Sequence, residues 1–179
     1  MSYAGTFYLT IADHNDIIIE ILILDNLEDV MTAIKMIAVG KKLANIYSEL
    51  SQPLCKKYGI NQSCFDVLMF CANNPENNTA RDICAVRGIK SGIASVAVET
   101  LIQKGYLIRT DDISDRRIRR LVPTEFAQNI ISDGRVMQER FISTLKSGIS
   151  PEEEEIFERV NEKILENTNL FDREEHNAF

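Results

Sequence analysis

The sequence has few of the residues that build metal sites and disulfide frameworks: its 179 residues include no tryptophan, two histidines and four cysteines. The cysteines are Cys55, Cys64, Cys71 and Cys84. No Cys-x-x-Cys pair occurs, and His14 and His176 are far apart, so neither a zinc site nor a secreted disulfide framework is predicted. Free thiols buried in a protein of the reducing cytosol are the simpler interpretation.

Membrane and export signals are also missing. The most apolar run, at 17–24, is too short to span a bilayer and contains Glu20. The chain begins Met-Ser-Tyr-Ala-Gly, without the basic segment of a secretory signal. These features lead us to expect a cytoplasmic protein with no membrane partner.

Signatures of catalysis are missing as well. The sequence offers no nucleophile–base pair, no phosphate-binding glycine loop and no metal-ligand cluster. Four consecutive glutamates at 152–155 follow Ser150 and Pro151, a helix-start pattern in which the helix dipole favours acidic side chains. An enzyme is therefore the least favoured class, and neither a cofactor nor a metal is expected.

Net positive charge is confined to one window of the chain. The whole chain has a net charge of −7, but residues 79–120 contain nine Lys/Arg and five Asp/Glu, a net of +4, which leaves −11 elsewhere. Phosphate contacts supply much of the affinity for nucleic acids, so an acidic protein that binds DNA needs a local cationic surface. The window predicts specific DNA binding through one face and argues against a non-specific nucleic-acid coat.

The amino-terminal part reads as helical. Apolar residues recur every three to four positions, which predicts a long helix over about 27–51, ended by Pro53, with a short helical turn before Gly59. Asn61 is the predicted N-cap of a second helix that runs to about Asn73. The run at 17–24 fits a strand or a helix equally well.

A helix, a tight turn and a second helix follow. Thr79 and Asp82 have the capping-box spacing of a helix that ends at Gly88. The second helix is predicted from about 90 to 104 and is closed by Gly105. The apolar positions predicted to face inward on that helix are Ile93, Val96 or Ala97, and Leu101.

Two short strands and two more helices complete the chain. Strands are predicted at 107–110 and 118–122 on either side of a polar loop, followed by helices at about 124–146 and from Ser150 onward. The order is that of a winged helix-turn-helix. The predicted fold is mainly α with a small β wing, in which this motif is flanked by amino- and carboxyl-terminal helices.

The second helix of such a motif enters the major groove, and its first residues reach base edges. The residues predicted there are Lys90, Ser91, Gly92, Ile93, Ser95 and Val96. Short hydroxyls and a glycine permit close approach, Lys90 can meet a phosphate or a guanine edge, and the free amides of the helix start favour a phosphate. Arg81, at the start of the preceding helix, is a further predicted contact.

The loop between the strands carries four arginines within five positions: Arg116, Arg117, Arg119 and Arg120. An arginine at a loop tip can enter the minor groove, where negative potential is concentrated. Asp115 is predicted to orient a neighbouring guanidinium, since a fixed guanidinium loses less entropy on binding. We predict DNA contacts for Asp115, Arg116, Arg117 and Arg119. A solvated charged hairpin is the alternative interpretation.

This stretch resembles the MarR (multiple antibiotic resistance regulator) family of bacterial winged-helix transcription factors. Residues 82–105 follow the family's pattern of helix, glycine turn, recognition helix and closing glycine without a gap. Asp115-Arg116-Arg117 resembles its Asp-Arg-Arg wing, Pro123-Thr124 stands where Leu-Thr opens the next helix, and Ser-Pro-Glu-Glu at 150–153 resembles its last helix start. The resemblance covers about 58–165.

The resemblance implies a homodimer that binds a pseudo-palindromic DNA operator. It assigns 1–58 to an amino-terminal extension and dimerisation helix, 59–123 to the DNA-binding domain and 124–179 to carboxyl-terminal dimerisation helices. Ser91 and Ser95 would read bases, and Arg117, braced by Asp115, would enter the minor groove. A small aromatic, anionic or phenolic effector, or oxidation of a cysteine, would regulate binding.

The sequence departs from the family pattern at three places. Val96 stands where the family usually has a DNA-contacting arginine, and Ala127 replaces the usual glycine after Leu-Thr. The first 25 residues have no counterpart, so an extended dimer interface is one role for them. Two alternatives stay open beside the regulator: a winged helix that binds a protein partner, and a thiol-based redox sensor. Cys55, beside Lys56 and Lys57, is the redox candidate.

Overall fold

The protein is mainly helical with one two-stranded sheet, as the sequence predicted. The computed structural model describes residues 27–112 and 115–177; the run at 17–24 and the proposed extension lie outside the described residues. The helices are α1 Leu27–Tyr58, α2 Gln62–Asn73, α3 Ala80–Arg87, α4 Ser91–Gln103, α5 Gln128–Leu145 and α6 Pro151–Asn177. The strands are β1 Leu107–Asp111 and β2 Arg119–Pro123, and a 3₁₀ turn, Glu125–Ala127, precedes α5.

Helix α1 does not stop at Pro53, and the predicted end of this helix was wrong. It continues for five residues beyond the proline, to Tyr58. A proline inside a helix costs about 3 kcal/mol through its missing hydrogen bond and its ring. The last turn is nevertheless held by tertiary contacts, because Ser51 and Cys55 are buried and the Ser51 hydroxyl lies 2.7 Å from Gln62 Oε1 of α2. Packing against α2 therefore keeps this part of α1 helical in spite of Pro53.

The predicted starts of α2, α3 and α6 and the predicted end of α3 are confirmed by their capping geometry. Asn61 Oδ1 accepts a hydrogen bond of 2.9 Å from the Cys64 amide. Thr79 and Asp82 form the reciprocal capping box, and Gly88 ends α3 with φ of 61°, a conformation that glycine adopts without strain. Ser150 and Glu153 form the equivalent pair at the start of α6, with bonds of 2.8 and 3.3 Å.

Helix α2 forms the centre of the core. Seven of its twelve residues are buried, which is the pattern of a helix covered on several sides rather than along one stripe. They are Cys64, Phe65, Val67, Leu68, Met69, Phe70 and Cys71. Helices α1, α3, α4 and α5 and strand β2 all pack against it. Helices α1, α3, α4 and α5 and strand β2 therefore share one hydrophobic core with α2.

Helices α2 and α5 approach most closely at Gly134. A Cβ atom at this position would lie 2.5 Å from Met69 Sδ and 3.3 Å from Phe65 Cζ. The glycine is kept here for space and not for its backbone freedom, since it lies inside a helix. Met69 and Phe65 occupy the volume that any larger residue would need.

Replacement of Gly134 by alanine is expected to destabilise the protein although alanine is the better helix former. Overpacking costs about 1–3 kcal/mol, against a gain in helix propensity of about 1 kcal/mol. In a Met69→Ala background the space is free, so the same replacement should be neutral or stabilising. Urea unfolding at fixed protein concentration measures both effects. An equal loss in both backgrounds would contradict the packing argument.

The sheet is an antiparallel ribbon attached to the core at one end. Leu107 pairs with Pro123 and Asp111 with Arg119, so β2 lies one residue later than predicted. Leu107 and Leu121 are buried, and the Leu121 amide donates to the Asn78 carbonyl at 3.0 Å. The base of the ribbon is thus tied to the loop that precedes α3.

The end of α1 is joined to α5 by a small polar cluster. Lys57 Nζ and the Tyr58 hydroxyl both lie 2.7 Å from Asp133 Oδ2. The hydrogen bonds from Lys57 and Tyr58 hold the pKa of the Asp133 carboxyl below its usual value. The cluster is exposed to solvent, so it fixes orientation more than it adds stability.

The flanking helices leave apolar side chains uncovered. Ile34, Met36, Ile37 and Val39 of α1 and Ile156, Phe157, Val160 and Leu165 of α6 are exposed in the single chain. Within 27–112 and 115–177, no helix has the length and apolar character needed to cross a membrane.

Candidate nucleic-acid interface

Helix α4 presents one apolar face to the core and a mixed face to solvent. Ala94, Ala97, Val98 and Leu101 are buried. Their spacing of three, four and seven residues defines the inner face, and the two alanines let α4 lie close to α2, with Cys64 Sγ 3.8 Å from the Ala97 carbonyl. Of the residues predicted to face inward, Leu101 and Ala97 do so.

The prediction that Ile93 faces inward was wrong. Its side chain is 49% exposed, and Val96, the alternative to Ala97, is 66% exposed. Both side chains are apolar, so hydrophobicity alone could not fix the rotation of the helix. The exposed positions of the first two turns are Ser91, Gly92, Ile93, Ser95 and Val96.

The start of α4 is open and weakly capped. Lys90 is the N-cap, and its side chain makes no capping hydrogen bond, while its carbonyl accepts from the Ile93 and Ala94 amides. No atom lies within 4 Å of a Cβ built on Gly92. A helix start with free amides, a lysine and an uncovered glycine can bring its backbone close to a phosphate.

The four wing arginines divide into two pairs with different surroundings. Arg119 pairs with Asp111, the residue directly opposite it in the sheet. Arg120 Nε lies 2.7 Å from Asp112 Oδ2, and its guanidinium also donates to the Glu76 carbonyl. These two arginines hold the ribbon and tie it to the loop before α3.

Arg116 and Arg117 lie at the tip, exposed, and make no ion pair with any residue in the part of the chain that the structure describes. Asp115 accepts a hydrogen bond of 2.9 Å from the Arg117 backbone amide through Oδ1. The carboxylate therefore stabilises the turn, and the predicted contact with a guanidinium is replaced by one with the main chain. Both tip guanidinium groups remain available to an external anion.

A further ion pair connects the recognition helix to the wing. Glu99, on the outer face of α4, pairs with Arg109 of β1. The hydrogen bond from Arg109 lowers the pKa of the Glu99 carboxyl, which keeps it ionised and paired. Arg81, in the first turn of α3, is exposed. Its contact with DNA stays a prediction.

The geometry of Cys55 does not suit a redox sensor. The residue is 7% exposed, and burial, followed by the nearby Asp66 carboxylate, raises the pKa of its thiol. Burial also raises the pKa of Cys71 to about 12. Reactive thiols are accessible and have a lowered pKa, so Lys56 and Lys57 do not activate this cysteine.

A polar hollow between the helices was not predicted from the sequence. It has a volume of about 190 Å³ and lies where α1, α2, α3 and α5 meet. Arg87 is 3.3 Å from Asp66 Oδ1 and stacks 5.8 Å from the centre of the Tyr47 ring, whose hydroxyl accepts from Gln138 at 2.8 Å. Burial raises the pKa of the Asp66 carboxyl. No sequence motif marks residues so far apart in the chain.

Two adjacent helices with an exposed second helix, followed by a basic two-stranded ribbon, define a winged helix-turn-helix protein. A family model described as MarR family matches residues 58–118, which covers α2 to the wing. Within residues 58–118 the chain therefore resembles the MarR family, and this match ends just before β2. No curated protein matches the chain at a significant level of sequence similarity.

Solved structures share the fold at low sequence identity. A MarR/EmrR family regulator from Acinetobacter sp. ADP1 is 15% identical over 79% of this chain and 97% of its own, with a TM-score of 0.65. CouR from Rhodococcus jostii RHA1, bound to p-coumaroyl-CoA, is 19% identical over 79% and 92%, with a TM-score of 0.60. MepR from S. aureus, in complex with DNA, is 18% identical over 76% and 94%, with a TM-score of 0.58.

Proposed function

We propose that this protein is a transcriptional regulator that binds a pseudo-palindromic DNA operator as a homodimer. The observation that carries the proposal is the pair Arg116 and Arg117, which make no ion pair with any described residue and lie at the tip of a ribbon whose other arginines are internally paired. Exposed guanidinium groups of this kind can bind an external anion, and DNA phosphates supply one on either side of the minor groove.

The recognition helix complements the wing in this proposal. Lys90 and the free amides at the start of α4 contact backbone phosphates, and the exposed residues after them face base edges in the major groove. Arg81 and Arg119 add positive charge nearby. The similarity to the fold of MepR, solved with DNA, is consistent with this use of the two elements.

The uncovered apolar faces of α1 and α6 support a homodimer. Exposed Ile156, Phe157 and Val160 lie within two turns of one another, and a patch of this kind marks an interaction site. A second copy of the chain would cover it by two-fold symmetry. Two recognition helices roughly 34 Å apart then match successive major grooves.

The polar hollow supports regulation by a small effector. Arg87 provides a positive charge and Tyr47 an aromatic ring. Together they suit a small aromatic acid whose carboxylate would replace Asp66 as the ion-pair partner of Arg87. Because Arg87 ends α3 and Tyr47 lies on α1, occupancy would change how the DNA-binding elements sit on the flanking helices. The p-coumaroyl-CoA complex of CouR, a protein of similar fold, is in line with an effector of aromatic character.

The test is DNA binding by the full-length chain. Selection from random duplexes, followed by footprinting on the enriched sequence and on DNA beside the protein's own gene, should give a site with two related half-sites and strong salt dependence. The same assay in the presence of small aromatic acids measures release by an effector. A protein that enriches no sequence from the pool would refute the regulator.

A further inference from the structure

We propose that Val96 determines operator specificity by packing against the 5-methyl group of a thymine in the major groove. This inference rests on the proposed DNA-binding function and goes beyond it, because it names the base that the recognition helix selects. The side chain of Val96 has no hydrogen-bond donor for the acceptor pair of guanine, so the half-site read by this chain has a thymine at the facing position.

The position of Val96 on α4 is the first support. The buried residues Ala94, Ala97, Val98 and Leu101 define the inner face. Successive residues of a helix are about 100° apart, which places Val96 near the middle of the opposite face, one turn after Gly92. Its side chain is 66% exposed, so it contributes little to the core. Core packing therefore does not explain why an apolar side chain lies at the centre of the exposed face of α4.

The chemistry of the face is the second support. Its exposed residues from 91 to 96 carry no charge: two serines, a glycine, Ile93 and Val96. Glu99, one turn further on, is neutralised by Arg109. Guanine is read by arginine or lysine, and Lys90, at the N-cap, is the one cation at the helix start. Val96, at the centre of the face, can therefore complement a methyl group but not the acceptor pair of guanine.

The surface beside Val96 has room for such a group. Gly92, Ile93, Val96 and Ala97 line a shallow, mostly apolar groove of about 360 Å³ together with Asn61 and Ser63 of α2. No atom crowds Gly92, so the duplex can approach the helix closely at this point. Helix α4 belongs to the window 79–120, which has a net charge of +4 in an otherwise acidic chain. Positive charge in this part of the chain favours a nucleic acid over an apolar peptide as the occupant.

Replacement of single thymines by uracil tests the inference, because uracil lacks only the methyl group. The probe is the duplex enriched by the full-length protein, with each thymine changed in turn. Burial of one methyl group is worth about 0.8 kcal/mol, which corresponds to a loss of about fourfold for one half-site and roughly fifteenfold when both are changed. One thymine per half-site should show this loss with the wild-type protein.

Val96→Ala supplies the matched protein. Alanine is a better helix former than valine, so the variant is expected to fold, and circular dichroism verifies that it does. The variant should bind the thymine operator more weakly than the wild type and be less sensitive to uracil at the thymine that faces Val96, because the smaller alanine buries less of the methyl group. Its sensitivity at other thymines should be unchanged.

Three results would overturn the inference. The first is a wild-type protein that binds every uracil duplex as well as the original, with specific binding intact; this refutes the thymine contact and leaves the regulator in place. The second is a Val96→Ala variant as sensitive to uracil as the wild type, which assigns the methyl contact to another residue. The third is the absence of any enriched sequence, which removes the proposed function and the inference together.

Discussion

Simultaneous replacement of Arg116 and Arg117 by alanine is expected to lower operator affinity by about 100-fold or more while leaving the fold intact. Both side chains are exposed and make no ion pair among the described residues, so their removal costs no internal contact. A dimer loses four positive charges, and each phosphate contact contributes about 0.9 to the salt dependence of binding. The slope of log affinity against log salt should therefore fall by about 3 to 4.

Two further variants separate charge from geometry in the wing. Arg116→Lys with Arg117→Lys keeps the charge, so it should retain most of the salt slope and lose part of the affinity that depends on minor-groove fit. Lys56→Ala with Arg140→Ala removes the same charge from exposed positions on α1 and α5 and should leave binding nearly unchanged. Affinity is measured by fluorescence anisotropy at several salt concentrations.

Unchanged DNA binding by the alanine variant, together with a loss of regulation in cells, would point to a protein partner for the wing. That result would favour the protein-interaction alternative over the regulator. The matched pair Arg119→Ala and Arg120→Ala should behave differently from the tip variant, because these residues hold the ribbon through Asp111 and Asp112. Their removal is expected to loosen the wing as well as reduce its charge.

Replacement of Phe157 by glutamate is expected to produce a folded monomer with at least about 100-fold weaker operator binding. The Phe157 side chain is 65% exposed in the single chain, so the variant should keep its helical content. In a dimer that covers this face, the new carboxylate would be buried without a partner, which is strongly unfavourable. Loss of the second half-site removes a gain of about 10² or more from bivalent binding.

Phe126→Glu is the matched control, since Phe126 is 81% exposed but belongs to the 3₁₀ turn before α5 and not to the flanking apolar faces. It should remain dimeric. Sedimentation velocity gives the mass of each variant, and anisotropy gives its operator affinity. A Phe157→Glu protein that sediments as a dimer would place the dimer interface elsewhere.

The features that the sequence predicted correctly are set by residues close to one another in the chain. The capping pairs at Thr79 and Ser150 involve residues three positions apart, and both form as expected. The identity of the wing followed from the order of its neighbours along the chain. Pro53 misled because the contacts that keep α1 helical come from α2, and no local rule includes them.

The sequence could not predict which face of α4 is buried or which wing arginines form ion pairs, because both depend on tertiary contacts. Val96 and Ala97 are adjacent and both apolar, and only the approach of α2 decides which of them is buried. Arg119 and Arg117 look alike in the sequence, but the strand register places Asp111 opposite one of them. The hollow at Arg87 combines four helices, so its parts have no common spacing to detect.

The attachment of the ribbon has a consequence for how binding can be controlled. Arg120 donates to the Glu76 carbonyl and the Leu121 amide to the Asn78 carbonyl, both just before α3, while Arg109 is joined to Glu99 on α4. Helix α4 and the wing are therefore joined within each subunit and would move as one rigid DNA-binding unit. An effector would alter the spacing between two such units rather than the bases that either one accepts. Induction would then weaken binding to strong and weak operators by the same factor, preserving their rank order.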